Sequence, residues 1–271
     1  MSTPELTYTG LDVLETLDRA TNYNSLLLDL IVDSSGDYSR MLDFGAGIGT
    51  FAKLLRNKGV DVVCVEPDAL LANGLVRDGF LAFNDLNEVP DGSFDFIFTL
   101  NVLEHVEDDQ ASLCRLAAKL TRGGRLLIYV PAFQCLWTSL DERVKHYRRY
   151  RRRELERLAG SAGLTVLKTR YVDSLGFFIA LGFKVFGNKN GHLSARAVSL
   201  YDRCVVPLSR LLDLLVSRLF GKMFISLPLT IIGLQRHILP LAILSTAKFR
   251  TSTRKAAAVV RQKGAICEIS L

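Results

Sequence analysis

Two short stretches hold the residues whose types and spacing point to chemistry. The first is Asp43-Phe44-Gly45-Ala46-Gly47-Ile48-Gly49-Thr50, where an apolar run from Met41 ends in an acid, crosses three alternate glycines and enters a helical pattern at Phe51. Glycine tolerates positive φ and lets a ligand approach the backbone. Unpaired N–H groups at a helix start favour an anionic or hydrogen-bond-accepting ligand. A buried strand, a ligand-binding turn and a helix are therefore predicted. The spacing departs from the dinucleotide pattern G-x-G-x-x-G, because the third glycine comes one residue early. Further on, the β-branched run from Val60 ends in Glu66, at the position where an acid can take the two hydroxyls of a ribose.

The second stretch runs from Trp137 to Leu155 and interleaves arginines with His146, Tyr147 and Tyr150. Such a run can meet phosphates or a nucleic-acid strand. It can equally be an exposed helix start balanced by Glu154 and Glu156. Of these side chains, only histidine titrates near neutrality and can take a hydroxyl proton efficiently there.

With the acid, the glycines and Glu66 together, the chain resembles class I S-adenosylmethionine-dependent methyltransferases, from about Tyr23 to Arg236. The resemblance implies an α/β, doubly wound, Rossmann-like fold: a seven-stranded, mostly parallel sheet with a helical insert before the last strand. It implies S-adenosyl-L-methionine as cofactor, held by Asp43, Gly45, Ala46, Gly47 and Gly49 at its methionine end and by Glu66 and Pro67 at its ribose. Asp85 and Leu86 would meet the adenine, and Asn101 would lie near the reactive end. Tyr23 would sit on a helix covering the pocket. Core packing is the alternative for Tyr23, and capping of a turn the alternative for Asp85.

Leu103-Glu104-His105-Val106 is similar to a tetrad of small-molecule methyltransferases, including those acting on quinones and other lipids. Some quinone and RNA methyltransferases hold a divalent metal with a Glu-x-x-Glu-His set. Here Asn101 replaces the first Glu, and Glu104 with His105 is a poor cage for a hard cation, so no metal is expected. A His-x-Arg-x-Tyr run like that at His146 stands beside the acceptor pocket in related enzymes. It implies His146 as the base or orienting group, with His105 second, and Trp137, Tyr147, Arg148 and Arg149 as acceptor contacts, the arginines meeting an anionic group.

The elements that must position these residues alternate strand and helix, as a doubly wound sheet requires. Helix is predicted over 11–32, whole or in two pieces, and over 108–120, closed by Arg122-Gly123-Gly124. Strands are predicted over 94–100, 125–131, 164–172 and, last, 227–236. About fifty residues precede the last strand, too many for a simple connection. They contain a turn at 188–192 and an amphipathic helix over 198–220, with Tyr201, Val205, Leu208, Leu212, Leu215 and Leu219 on one face. This insert, about 174–225, reads as a lid over a hydrophobic acceptor.

The 271 residues suffice for one large domain without staples. A methyltransferase domain over 1–236 and a basic, apolar tail over 237–271 are expected. The five cysteines show no C-x-x-C spacing, which argues against zinc and disulfides and fits a reducing, cytoplasmic setting. Residues 1–10 lack a basic-then-apolar leader layout. The net charge of +6 concentrates after Arg143 and in the tail, which favours an anionic partner. Met223–Ala247 is long enough to span a bilayer, but Gln235-Arg236-His237 interrupts it. Peripheral contact with a membrane's inner face, through insert and tail, is expected instead.

The function expected is methyl transfer to a small-molecule or lipid-linked acceptor, at oxygen. An RNA methyltransferase and a non-catalytic cofactor-binding protein are the alternatives. No Asn-Pro-Pro-Tyr-like motif supports nucleic acid.

Overall fold

A computed structural model describes residues 10–186, 194–216, 219 and 221–231. The predicted turn at 188–192 and the tail lie outside the described residues. By its internal contacts the chain divides at Gly233, and only the first unit, Met1–Gly233, holds described residues.

β1 (Met41–Phe44) is buried along its whole length, as a parallel strand covered on both faces should be. It pairs in parallel with β2 (Val62–Val65) and β4 (Phe94–Leu100). β3 (Ala82–Phe83) continues one side and β5 (Leu120–Pro131) the other, both parallel. β7 (Met223–Ile231) lies antiparallel between β5 and β6 (Leu164–Val172), giving the order β3-β2-β1-β4-β5-β7-β6. This is an α/β, Rossmann-like fold with a mostly parallel sheet. Strand order reverses between β1 and β4, and the carboxyl ends at such a point open a crevice for ligand.

Period-two alternation builds a core on each face. Ile97 of β4 joins Leu42, Leu113, Leu126 and Leu155 on one side, and Phe96 and Phe98 join Leu27, Ile31, Leu55 and Tyr129 on the other. The covering helices are α3 (Thr50–Arg56), α4 (Ala69–Arg77), α5 (Asp109–Lys119) and α7 (Arg152–Ser161).

The first helix forms in two pieces, one of its two expected forms, α1 (Leu11–Asp18) and α2 (Thr21–Ser35). The structure departs from the expected elements at two places. The helix over 108–120 ends at Lys119, and Gly123-Gly124 belongs to β5 rather than to a cap. A Cβ at Gly124 would press on the Thr121 oxygen at 3.0 Å and the Asp95 oxygen at 3.1 Å, so this glycine serves close strand packing where the β4–β5 register shifts. The last strand starts at Met223, four residues before the predicted start, because its first residues already pair with Pro131 and Val172.

The insert comprises α8 (Ser174–Phe186), α9 (Ala195–Leu200), a π-helical turn (Tyr201–Val205) and α10 (Val206–Val216). The expected apolar face is not the buried one. Asp202, Val206 and Ser209 face inward, while Leu208, Leu215 and Leu219 are exposed and Tyr201, Val205 and Leu212 are half-buried. The reason is polar. The N–H groups at the start of α8 need acceptors, and α10 supplies them. Asp213 accepts from Asp173 N (2.8 Å) and Ser174 N (2.9 Å), and Ser209 Oγ accepts from Leu175 N (2.8 Å). Ser209 donates in turn to Asp173 Oδ1 (2.9 Å).

Asp202 does the same for α2, whose own N-cap residue, Ala20, has no side-chain acceptor. Its carboxylate accepts from Tyr23 N (2.8 Å), Asn22 N (3.2 Å) and Asn22 Nδ2 (3.2 Å). Asp202→Ala is therefore expected to lower stability by about 1–2 kcal/mol, the loss of a cap, and Asp202→Asn to restore part of it. Denaturant unfolding of the two variants reads this out. Equal losses from both would contradict the capping role.

Candidate active site

The glycine turn leaves β1 with positive φ at Gly45 (80°), Gly47 (56°) and Gly49 (80°). A Cβ at Gly45 would run into Val102, and one at Gly49 would lie 2.6 Å from Leu75, so these two permit close packing. A Cβ at Gly47 would meet Leu14 alone, at 3.4 Å. Gly47 is thus where the absent side chain leaves a cradle beside the turn. Its N–H donates to Glu66 Oε2 (2.7 Å), and Asp68 N donates to Glu66 Oε1 (3.0 Å). Burial raises Glu66 above the usual carboxylate range, and those two N–H groups pull it back in part. Asp43 is buried at the end of β1, is raised by burial and by the charge of Glu66, and has an Oδ2 without a partner. An orphaned buried acceptor and a Cβ-free turn fit a ligand bearing N–H or O–H donors.

Around the turn, Ala46 is half-buried and Pro67 exposed. Asp85 caps the 3-10 turn Leu86–Glu88, accepting from Asn87 N (2.9 Å) and Asn87 Nδ2 (3.2 Å), with Glu88 Oε1 returning a bond to Asp85 N (3.1 Å). The carboxylate thus serves the capping alternative, with lone pairs to spare. The Leu86 side chain belongs to the core, so only its backbone can face a cofactor.

Asn101 follows β4 with φ of 56°, a conformation uncommon outside glycine. Its N–H donates to Tyr129 O (2.8 Å), and its Nδ2 donates to Tyr23 Oη (3.3 Å). Tyr23 meets Tyr129 edge-on with ring centroids 6.4 Å apart, and burial pushes its hydroxyl up to about 12. Tyr23 packs against the core, the alternative expected for it, and also holds Asn101.

Past β5, the chain passes a 3-10 turn (Gln134–Leu136) and a short helix, α6 (Ser139–Arg143). Asp141 organises this stretch. It accepts from Thr138 N (2.8 Å), from Arg149 Nε (2.8 Å) and from Arg149 Nη2 (2.9 Å), and its Oδ1 lies 2.8 Å from His146 Nδ1. Burial alone would raise Asp141, but His146 and Arg149 outweigh it and hold the carboxyl well below its usual range. Lys145, with φ of 58°, turns the chain so that His146 reaches this carboxylate and Tyr147 N reaches Glu104 O (2.7 Å).

The His146 ring packs against His105 (centroids 4.5 Å) and Trp137 (6.5 Å), with its Nε2 4.0 Å from Glu104 Oε1. Glu104 is 1% exposed, and neither carboxyl oxygen has a hydrogen-bond partner. Burial pushes it up to about 8. His105 is driven down to about 4 by burial and by His146, despite a bond with the Val144 backbone. Glu104, His105 and His146 bring donor atoms within 4.8 Å of one another and are the described residues that could hold a metal ion. The expectation against a metal considered only Glu104 and His105; the structure adds His146 to them.

Three expected roles change. Arg149 is buried on Asp141 and Ala132 O (3.4 Å), and Arg148 pairs with Asp109 (2.8 Å) and Glu107 O (2.6 Å). Both guanidiniums are taken up by protein partners, although Arg148 stays half-buried at the surface. His105 is too weakly basic to take a proton at neutral pH. Tyr147 is 52% exposed and Trp137 half-buried, and of the two only Trp137 adjoins the His146 ring. Asp141, a central residue here, was not singled out from the sequence. Its signal was the capping pattern Thr138-Ser139-Leu140-Asp141, which the structure forms.

A histidine that gives Nδ1–H to a carboxylate leaves Nε2 free to accept a proton, and the carboxylate steadies the resulting imidazolium. The Asp141–His146 pair has that arrangement, beside the carboxyl end of β4.

A sequence model of the methyltransferase domain family matches residues 16–169. The chain belongs to this methyltransferase family, in the class I, S-adenosylmethionine-dependent group. An uncharacterised methyltransferase of Staphylococcus carnosus (strain TM300) is 28% identical over 118 residues, covering 42% of this chain and 56% of that protein. A demethylmenaquinone methyltransferase of Beutenbergia cavernae is 37% identical over 94 residues, covering 33% of this chain and 39% of that protein. The matches span about half the length of the first curated relatives. The crystal structure of a Streptomyces coelicolor A3(2) geranyl diphosphate C-methyltransferase, bound to Mg2+, geranyl diphosphate and S-adenosyl-L-homocysteine, superposes with a TM-score of 0.54 at 13% identity, over 77% of each chain. At that identity the likeness concerns the fold.

Glu104 gives a pH expectation. Its native pKa lies near 8 against an ordinary 4.5, so between those values the folded state holds a proton that the unfolded chain has released. Stability therefore falls as pH rises through that window and levels off above it. Glu104→Gln is expected to match the wild type in thermal melting at pH 5 and to exceed it at pH 8.5, by several degrees. A wild-type-like pH dependence in the variant would show that Glu104 is not held neutral.

Proposed function

We propose that this protein transfers a methyl group from S-adenosyl-L-methionine to an oxygen of a small-molecule or lipid-linked acceptor, with His146 taking the acceptor's proton. The observation that carries this reading is the Asp141–His146 pair beside Glu104, at the mouth of the strands that carry the glycine turn. When bound, S-adenosyl-L-methionine supplies a methyl group on a positively charged sulfur. The backbone of Gly45–Gly49, with Asp43 and Glu66, would hold its amino-acid and ribose parts, and Asn101, set by Tyr23, would border its reactive end. Asp85 and the Leu86 backbone would meet the adenine.

His146 Nε2 accepts the acceptor proton, while Asp141 fixes the ring and carries the opposite charge. Neutral Glu104 offers an O–H toward the same point, and Trp137 gives the acceptor an apolar wall. Much of the rate in such a displacement comes from holding the partners aligned, which a site built on strand ends suits.

The internal pairing of Arg148 and Arg149 takes two arginines of the run away from a nucleic-acid backbone and favours a small acceptor. A second reading, in which Glu104, His105 and His146 gather a divalent ion, draws on the unpartnered Glu104 oxygens. The test is to incubate enzyme and methyl-labelled S-adenosyl-L-methionine with bacterial lipid extract, aqueous metabolites or RNA. Label in the lipid or small-molecule fraction, undiminished after exhaustive chelation, supports the first reading. Label in RNA overturns it, and loss on chelation supports the second.

A further inference from the structure

The insert is built inside out. The two carboxylates of its described residues, Asp202 and Asp213, are turned inward and spent on backbone N–H groups. On the outside stand Leu208, Leu211, Leu214 and Leu215 of α10, the last two 78% and 82% exposed, with Phe178 and Val185 of the adjoining α8. Helices of soluble proteins normally bury their leucine stripe, and monomers rarely expose a contiguous apolar face of this kind. The charged residues exposed on these helices are Lys184, Arg196, Arg203 and Arg210, all cationic. Arg210 pairs with Asp29 of α2 (2.8 Å), and Lys184 donates to Cys135 O (2.8 Å).

We propose that this outward face of α8–α10 is a docking surface for an anionic lipid bilayer. Apolar side chains bordered by lysine and arginine, with no exposed carboxylate on the described residues of these helices, are what an interfacial helix needs: the leucines enter the headgroup boundary and the cations meet lipid phosphates. A second copy of the chain suits the face less well. A two-fold interface sets a patch against itself, so these cations would oppose one another, which is unfavourable. No helix of the described residues is long and apolar enough to cross a membrane, so the contact is with the surface. The bond from Lys184 to Cys135 ties α8 to the turn that leads into Trp137. The docking surface goes beyond the methyl-transfer reading and does not require it.

The experiment is co-sedimentation of the full chain with vesicles of phosphatidylcholine alone or mixed with phosphatidylglycerol, in low and high salt. The wild type is expected to pellet with the mixed vesicles and to be released by salt. Leu211→Glu/Leu214→Glu, at two exposed positions, is expected to bind about tenfold more weakly or worse. Its melting temperature and its affinity for S-adenosyl-L-methionine should stay unchanged. The proposal is overturned if the wild type stays in the supernatant with every vesicle. It is also overturned if the double variant binds as the wild type does, or if the wild type alone runs as a dimer. Binding of S-adenosyl-L-methionine, measured on the same samples, tests the methyl-transfer reading separately.

Discussion

Gly47→Val is expected to weaken S-adenosyl-L-methionine binding by about a hundredfold or more, roughly 2.7 kcal/mol, while leaving the protein folded. Two effects combine. Position 47 has a φ of 56°, where a β-branched side chain is strained by at least about 1–2 kcal/mol. The added methyls also fill the cradle beside the turn, where Leu14 is the one neighbour within 4 Å of a Cβ. Because that neighbour lies on α1 rather than in the sheet's core, the fold can yield there. Gly45→Ala provides the contrast. Its Cβ would run into Val102, so that variant should lose stability first and binding as a consequence. Calorimetric titration paired with thermal melting separates the two. Wild-type affinity in Gly47→Val would remove the turn from the cofactor site.

His146→Ala is expected to lower the methyl-transfer rate by about 10²–10⁴-fold, the usual worth of a positioned acid–base group. Affinity for S-adenosyl-L-methionine should change little, because the proposal sets the ring against the acceptor rather than the donor. The substitution frees Asp141 from one partner and leaves Arg149 on it, so the buried ion pair survives. Asp141→Ala is a poorer test. It strands a buried guanidinium, and breaking such a pair costs about 3–5 kcal/mol. An unchanged rate would show that no base at this position takes part.

The elements proposed to hold the donor were legible in the sequence as structure. Alternate glycines mark a tight strand-to-helix turn, and a β-branched run ending in Glu66 marks the next strand end. These signals are local. The acceptor half depends on contacts between distant residues. The arginine run looked like a solvated or phosphate-binding face, yet Arg148 and Arg149 are neutralised by Asp109 and Asp141. The leucine stripe of α10 has the same period whether it faces in or out. Its direction was decided by unfilled N–H groups at the start of α8, which Ser209 and Asp213 satisfy. Gly123-Gly124 gave a turn signal, but the strand runs through both, and Gly124 lets it pass close to Asp95. His146 was visible as a residue type, whereas its pairing with Asp141 needed the left-handed residue at Lys145.

Calorimetric titration of the purified full chain with S-adenosyl-L-methionine tests the central claim most directly. Saturable binding of one equivalent in the micromolar range, weakened about a hundredfold or more by Gly47→Val, is the expected result. No binding up to high micromolar ligand by a protein that melts cooperatively would contradict it.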